Sequence, residues 1–220
     1  MKNVTRMLVA LSILVAGTAA NAAVIFDNGI IATNGFISDL DFTGTPKLSA
    51  DDFRLLPGAN VITDVHWTGL YAFTNTPLAD NFTIQFFNDA GGVPATNPFL
   101  SLPVSPSRVD TGNNAAGSDI FAYDVNISPV TLTPNTTFWL SIFNNTSNDT
   151  NDNWFWGMVD LAGNGATRDG LGLAWSPSVG NNGYQFQLTG VSVPEPSALA
   201  LLALGFIAIA LLNRRRTTST

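Results

Sequence analysis

Three features of the chain predict an all-β fold. Apolar and polar residues alternate along its middle, turn-forming clusters separate the alternating runs, and no repeat of propeller-blade length is present. The expected architecture is a single antiparallel two-sheet sandwich, jelly-roll-like, over residues 23–192. A signal peptide at 1–22 and a short transmembrane helix near the C-terminus are expected to flank it.

The signal peptide is read from three parts in order. Lys2 and Arg6 give a basic start, Met7 to Gly17 an apolar stretch, and Ala20-Asn21-Ala22 a small-x-small site with cleavage expected before Ala23. In the body, Val61, Thr63, Val65, Trp67 and Tyr71 are expected on one side of a strand, with Ile62, Asp64, His66 and Thr68 on the other. The same period runs through Phe82-Thr83-Ile84-Gln85-Phe86, Phe121 to Ile127, Phe138 to Phe143, Trp154 to Val159 and Tyr184 to Leu188. Between them lie Asn88 to Gly92, Pro134-Asn135, Gly163-Asn164-Gly165 and Asn181-Asn182-Gly183, residues that supply a positive or preset φ. A body of this length can bury a core without staples.

Charge narrows the function classes. The whole chain has a formal charge of −7, yet both ends are basic. Within the body, fifteen aspartates stand against Lys47, Arg54, Arg108 and Arg168, a formal charge of −11. Such a field repels nucleic acid and anionic headgroups, so no nucleic-acid partner is expected. The absence of cysteine removes disulfides, thiolate nucleophiles and cysteine–zinc clusters together.

The C-terminal segment carries the strongest signal. Pro194 and Pro196 around Glu195 keep that stretch extended and accessible, because proline fixes φ and removes a donor. Residues 198–212 are an uncharged apolar run that rises about 22 Å as a helix, against a hydrocarbon core of roughly 30 Å. It is a marginal span. Arg214, Arg215 and Arg216 snorkel to the interface and stay cytoplasmic, which places the body on the outer side of the inner membrane. An uncleaved membrane anchor is the plain alternative.

Pro194-Glu195-Pro196, the apolar run and the arginine end together resemble the PEP-CTERM sorting signal at 193–216. The resemblance implies an exosortase-type protease-transpeptidase as partner, an inner-membrane-anchored precursor, and a final place at the cell surface or in the extracellular matrix. In the body, Ala50-Asp51-Asp52-Phe53, Val61 to Tyr71, Asn81 to Gly92 and Thr137 to Ile142 are similar to a mature-domain type common among PEP-CTERM proteins. That similarity implies no assigned chemistry.

Candidate chemistry in the body is sparse, and no catalytic or cofactor-binding residue is expected. His66 is the only histidine and shares a strand with Asp64, as a base and its orienter would. No nucleophile accompanies it. Asp51-Asp52, Asp39 with Asp41, and the cluster Asn148 to Asn153 with Asp149 and Asp152 offer hard oxygens for a structural Ca²⁺, although loop aspartates also serve as turn-formers. The metal question is left open. Trp154 and Trp156 fall on one strand face, either as a glycan-stacking platform beside the acidic loop or as core.

Two functions follow. The first is an exported non-enzymatic surface or matrix protein, sorted by exosortase and associating with exopolysaccharide. The alternative is an extracellular carbohydrate-active enzyme, a glycoside hydrolase or lyase. Against it, no carboxylate pair is singled out and the body has no glutamate.

Overall fold

In the computed structural model, residues 22–29, 34–42, 45–72, 77–148, 152–162, 164–178 and 182–192 are described. The signal peptide up to Asn21, the sorting segment from Val193 and the turns at Gly163 and Asn181 lie outside the described residues. Among the described residues no helix is long and apolar enough to cross a membrane.

The strands are β1 (Ala22–Asp27), β2 (Asn34–Ile37), β3 (Leu48–Arg54), β4 (Ala59–Tyr71), β5 (Phe82–Asn88), β6 (Leu100–Val104) and β7 (Ser107–Ala115). There follow β8 (Ser118–Thr131), β9 (Thr137–Phe143), β10 (Trp154–Ala162), β11 (Ala166–Arg168), β12 (Ser176–Pro177), β13 (Asn182–Tyr184) and β14 (Phe186–Ser192). They form two antiparallel sheets. The larger has eight strands, with the path β1-β14-β4-β10-β13, β8 also on β4, β7 on β8, and β2 on β10. The smaller runs β12-β11-β3-β9-β5-β6.

Alternation places the inner faces together. Phe82, Ile84 and Phe86 from β5, Phe53 from β3, and Leu140 and Ile142 from β9 meet Val65, Trp67, Tyr123, Trp154, Trp156 and Phe186 of the larger sheet in one core. Rings dominate it. Phe82 packs edge-on against Trp154 at 4.9 Å and against Trp67 at 5.4 Å, geometries that aromatic quadrupoles favour. Gly69 makes room for this packing, since a Cβ there would lie 2.5 Å from the Trp154 ring.

The long strand β4 departs from simple alternation. Ile62 and Val65 both enter the core, whereas Val61 and Thr63 are only half-buried. Register shifts between Ile62 and Asp64 explain the change of side, because a bulge adds one residue to one strand. Thus the expected grouping of Val61 and Thr63 with Val65 is corrected, while Asp64, His66 and Thr68 keep a common direction along the strand.

The turns follow their chemistry. Ala116 and Gly117 both have positive φ, 53° and 86°, and close the β7–β8 hairpin in the manner that matches strand twist. Gly91 and Gly92 are likewise positive at 77° and 89°, and Asn135 sits at 58°. The smaller sheet also has an apolar outer face. Leu48, Ala50, Phe87, Trp139, Phe143, Ala166 and Trp175 form a second cluster there.

Candidate functional site

The aspartates divide by position. Asp39 is fully buried and accepts from the N–H groups of Trp154 (2.8 Å) and Asp41 (2.9 Å) and from Thr146 Oγ1 (2.9 Å). Burial raises its carboxyl above the ordinary range, while those donors pull the other way. Asp51, 1% exposed, ties the two sheets together, for its Oδ2 accepts from Tyr184 N at 2.6 Å and Asn28 Nδ2 at 2.6 Å. Burial pushes its carboxyl up to about 8. Asp152 is buried and accepts the Leu78 N–H at 3.1 Å. The oxygens singled out as Ca²⁺ ligands at 39, 51 and 152 thus accept hydrogen bonds from the protein itself. Asp149 lies outside the described residues.

Trp154 and Trp156 do share a face, and that face is the interior. Both are 0% exposed. Trp156 stacks on Tyr184 at 5.1 Å and donates its Nε1–H to Gln185 O at 2.8 Å, which satisfies the indole inside the core. Of the two alternatives for these residues the core one is found, and the glycan-stacking platform at Trp154 and Trp156 is corrected. A sugar ring needs an open aromatic face, and neither indole has one.

His66 is where charged side chains converge on an open surface. Its neighbours Val65 and Trp67 point into the core, so the imidazole stands on the outer face of the larger sheet. β8 pairs with β4 so that Asp124 is directly opposite His66. Nδ1 lies 2.6 Å from Asp124 Oδ2, and Nε2 lies 2.7 Å from Asp64 Oδ1. Across the other neighbour, β14, Gln187 is opposite His66, and on β7 Ser107 is opposite Asp124. One polar row therefore crosses four strands. A shallow groove of about 300 Å³ runs beside it, lined by His66, Thr68, Ser107, Val109, Asp124 and Gln187.

The Asp64–His66 pair was visible from strand period alone, and the structure brings the two together. Asp124 was not, because the sequence marks it as outward-facing without saying which strand it lies against. A second group escaped sequence reasoning altogether. Tyr71 donates its hydroxyl to Asp80, Arg108 Nη1 lies 3.2 Å from the same carboxylate, and the guanidinium packs over the Phe121 ring at 5.4 Å. These residues are far apart in sequence and form no motif.

The family model of the PEP-CTERM protein-sorting motif matches residues 192–216. No curated protein matches the chain. The matched segment contains Pro194, Glu195, Pro196, Arg214, Arg215 and Arg216. Such a tail implies export, a membrane-anchored precursor and processing by an exosortase on the way to the cell surface.

Proposed function

We propose that the protein is a non-enzymatic component of the cell surface or extracellular matrix that associates with exopolysaccharide through the outer face of its larger sheet. The observation that carries this reading is the sorting motif at 192–216, which implies export and sorting toward the cell surface. The scaffold is read as a jelly-roll-like sandwich, an architecture that lectin domains use. Mature chain starting at Ala23 and final release from the membrane belong to the same reading.

The face suits sugar hydroxyls by its donors and acceptors. Ser107, Gln187 and Asp124 line one groove, and each offers oxygen or amide groups in place of an aromatic platform. The enzymatic alternative has one observation on its side, the imidazole between two carboxylates. It would act by acid–base chemistry from His66.

A glycan array probed with the exported protein, with and without Ca²⁺, tests the proposal. Binding to a polysaccharide without release of reducing ends supports it. Release of reducing ends, abolished in His66→Ala, would replace it with the enzyme reading. No retention on any polysaccharide, including exopolysaccharide from the producing cells, would remove the glycan association.

A further inference from the structure

The geometry points to a divalent transition-metal site formed by Asp64, His66 and Asp124 on the outer face of the larger sheet. One ligand atom from each of the three lies within 4.8 Å of the others. Two of them are fixed by β4 and the third by its register with β8. The three side chains therefore sit on rigid strands and not on loops, which lowers the cost of holding a ligand set.

The histidine's own contacts show an unmet requirement. Both ring nitrogens face carboxylate oxygens, at 2.6 and 2.7 Å, yet a neutral imidazole carries a single N–H. One nitrogen then presents its lone pair to an anionic oxygen. Nε2 in addition is closed off from solvent and makes no aligned hydrogen bond despite its closeness to Asp64. A second proton on the ring or a cation among the three groups removes the conflict.

No lysine or arginine of the body supplies that charge. Lys47 is paired with Asp169, and Arg108 with Asp80. Arg54 donates to Thr137, while Arg168 donates to Thr96 O and Gln85 Oε1. These four are all the lysines and arginines between residues 23 and 192. The two carboxylates have only the imidazole between them, in a body of strongly negative charge.

Ligand chemistry selects the kind of ion. Imidazole nitrogen with carboxylate oxygens suits Zn²⁺ and its first-row neighbours, whereas Ca²⁺ takes six to eight oxygens. Bonds of about 2.0–2.2 Å to a tetrahedral Zn²⁺ put ligand atoms roughly 3.3 Å apart, so the carboxylates that now lie 2.6 and 2.7 Å from the ring nitrogens swing outward to admit the ion. The adjoining groove leaves room for water to complete the coordination. Binding replaces any proton on the ligating nitrogen, which leaves to solvent.

The test uses the full chain in detergent, titrated with ZnCl₂ by calorimetry and followed by imidazole NMR. The sequence has one histidine, so its imidazole signals report this site alone. One equivalent of Zn²⁺ is expected to bind and to shift those signals, with CaCl₂ in excess failing to displace it. His66→Gln and Asp124→Asn should each weaken binding at least tenfold, while Asp110→Asn, an exposed carboxylate on β7, should leave it unchanged. Imidazole signals that stay put at saturating Zn²⁺ would overturn the site, as would uptake that His66→Gln does not weaken. If a variant fails to fold by circular dichroism, the imidazole titration of the unmodified chain decides by itself. This inference stands apart from glycan association, since neither measurement depends on a polysaccharide.

Discussion

The two sheets treat their outer faces in different ways. On the smaller sheet, Phe87, Trp139 and Trp175 make a second apolar cluster, and Arg168 lies over it, 4.3 Å from the Trp175 ring centroid and 4% exposed. Its guanidinium donates to Thr96 O at 3.0 Å and Gln85 Oε1 at 3.1 Å, and burial pulls its pKa down to about 10, so it stays charged at neutral pH. The larger sheet instead presents His66, Asp124 and Gln187 beside an open groove. The larger sheet has a smaller outer cluster of its own, Leu70, Ala115 and Ile120 with Phe155, and beside it the polar row around His66 borders the groove. The difference locates the search for function on the larger sheet.

The largest effects should come from the enclosed rings. Trp156→Ala in the shared core and Trp139→Ala on the smaller sheet's outer face should each cost about 3–5 kcal/mol in urea unfolding, as excavated core aromatics do. A mild Trp139 variant would mean that the second cluster is only a loop resting on the sheet. Next in size, Arg168→Ala should lower stability by about 3 kcal/mol, because it removes two charge-assisted hydrogen bonds and a stacked cation at once. Loss of less than about 1 kcal/mol would break the picture of a sealed face held by that side chain.

Buried carboxyls set a pH dependence of the opposite sign to that of ion-paired acids. Asp51, raised to about 8 by burial, stays protonated in the folded state at pH values where the unfolded chain has already lost the proton. Folding then binds a proton, and stability falls as pH rises from about 4 to about 8. Asp39 and Asp80, raised by the same cause, act in the same direction. Unfolding free energies from urea titrations at pH 5 and pH 8 should differ by at least about 1 kcal/mol in favour of pH 5. Greater stability at pH 8 would mean that the donors around Asp51 hold it as an anion. The smallest effect is expected on the open face, where His66→Ala should change stability by about 1 kcal/mol or less.

Local pattern was legible in the sequence, and long-range pairing was not. The two-residue period correctly put Trp154 with Trp156 and Asp64 with His66, because strand geometry alone fixes those relations. It could not say that the tryptophan face is the inner one. That depends on which sheet covers it, and Phe82 of β5 is far away in sequence. The bulge after Ile62 was equally hidden, since Val61 to Val65 reads as an unbroken alternation. Asp124 joined the site only through the β4–β8 register. Arg168 gave no sign of burial, for a lone arginine on a short strand reads as surface. The sorting tail was the most legible part of all, because three unlike features in a fixed order do not require a fold to be recognised.

The β body over residues 23–192 is proposed to reach the surface without the segments that flank it. The intact mass of the protein recovered from the cell exterior tests this most directly. The expected product begins near Ala23 and lacks Arg214, Arg215 and Arg216, having been cut at both ends. A recovered form that still carries the three arginines would contradict processing and leave the C-terminal segment as a plain membrane anchor.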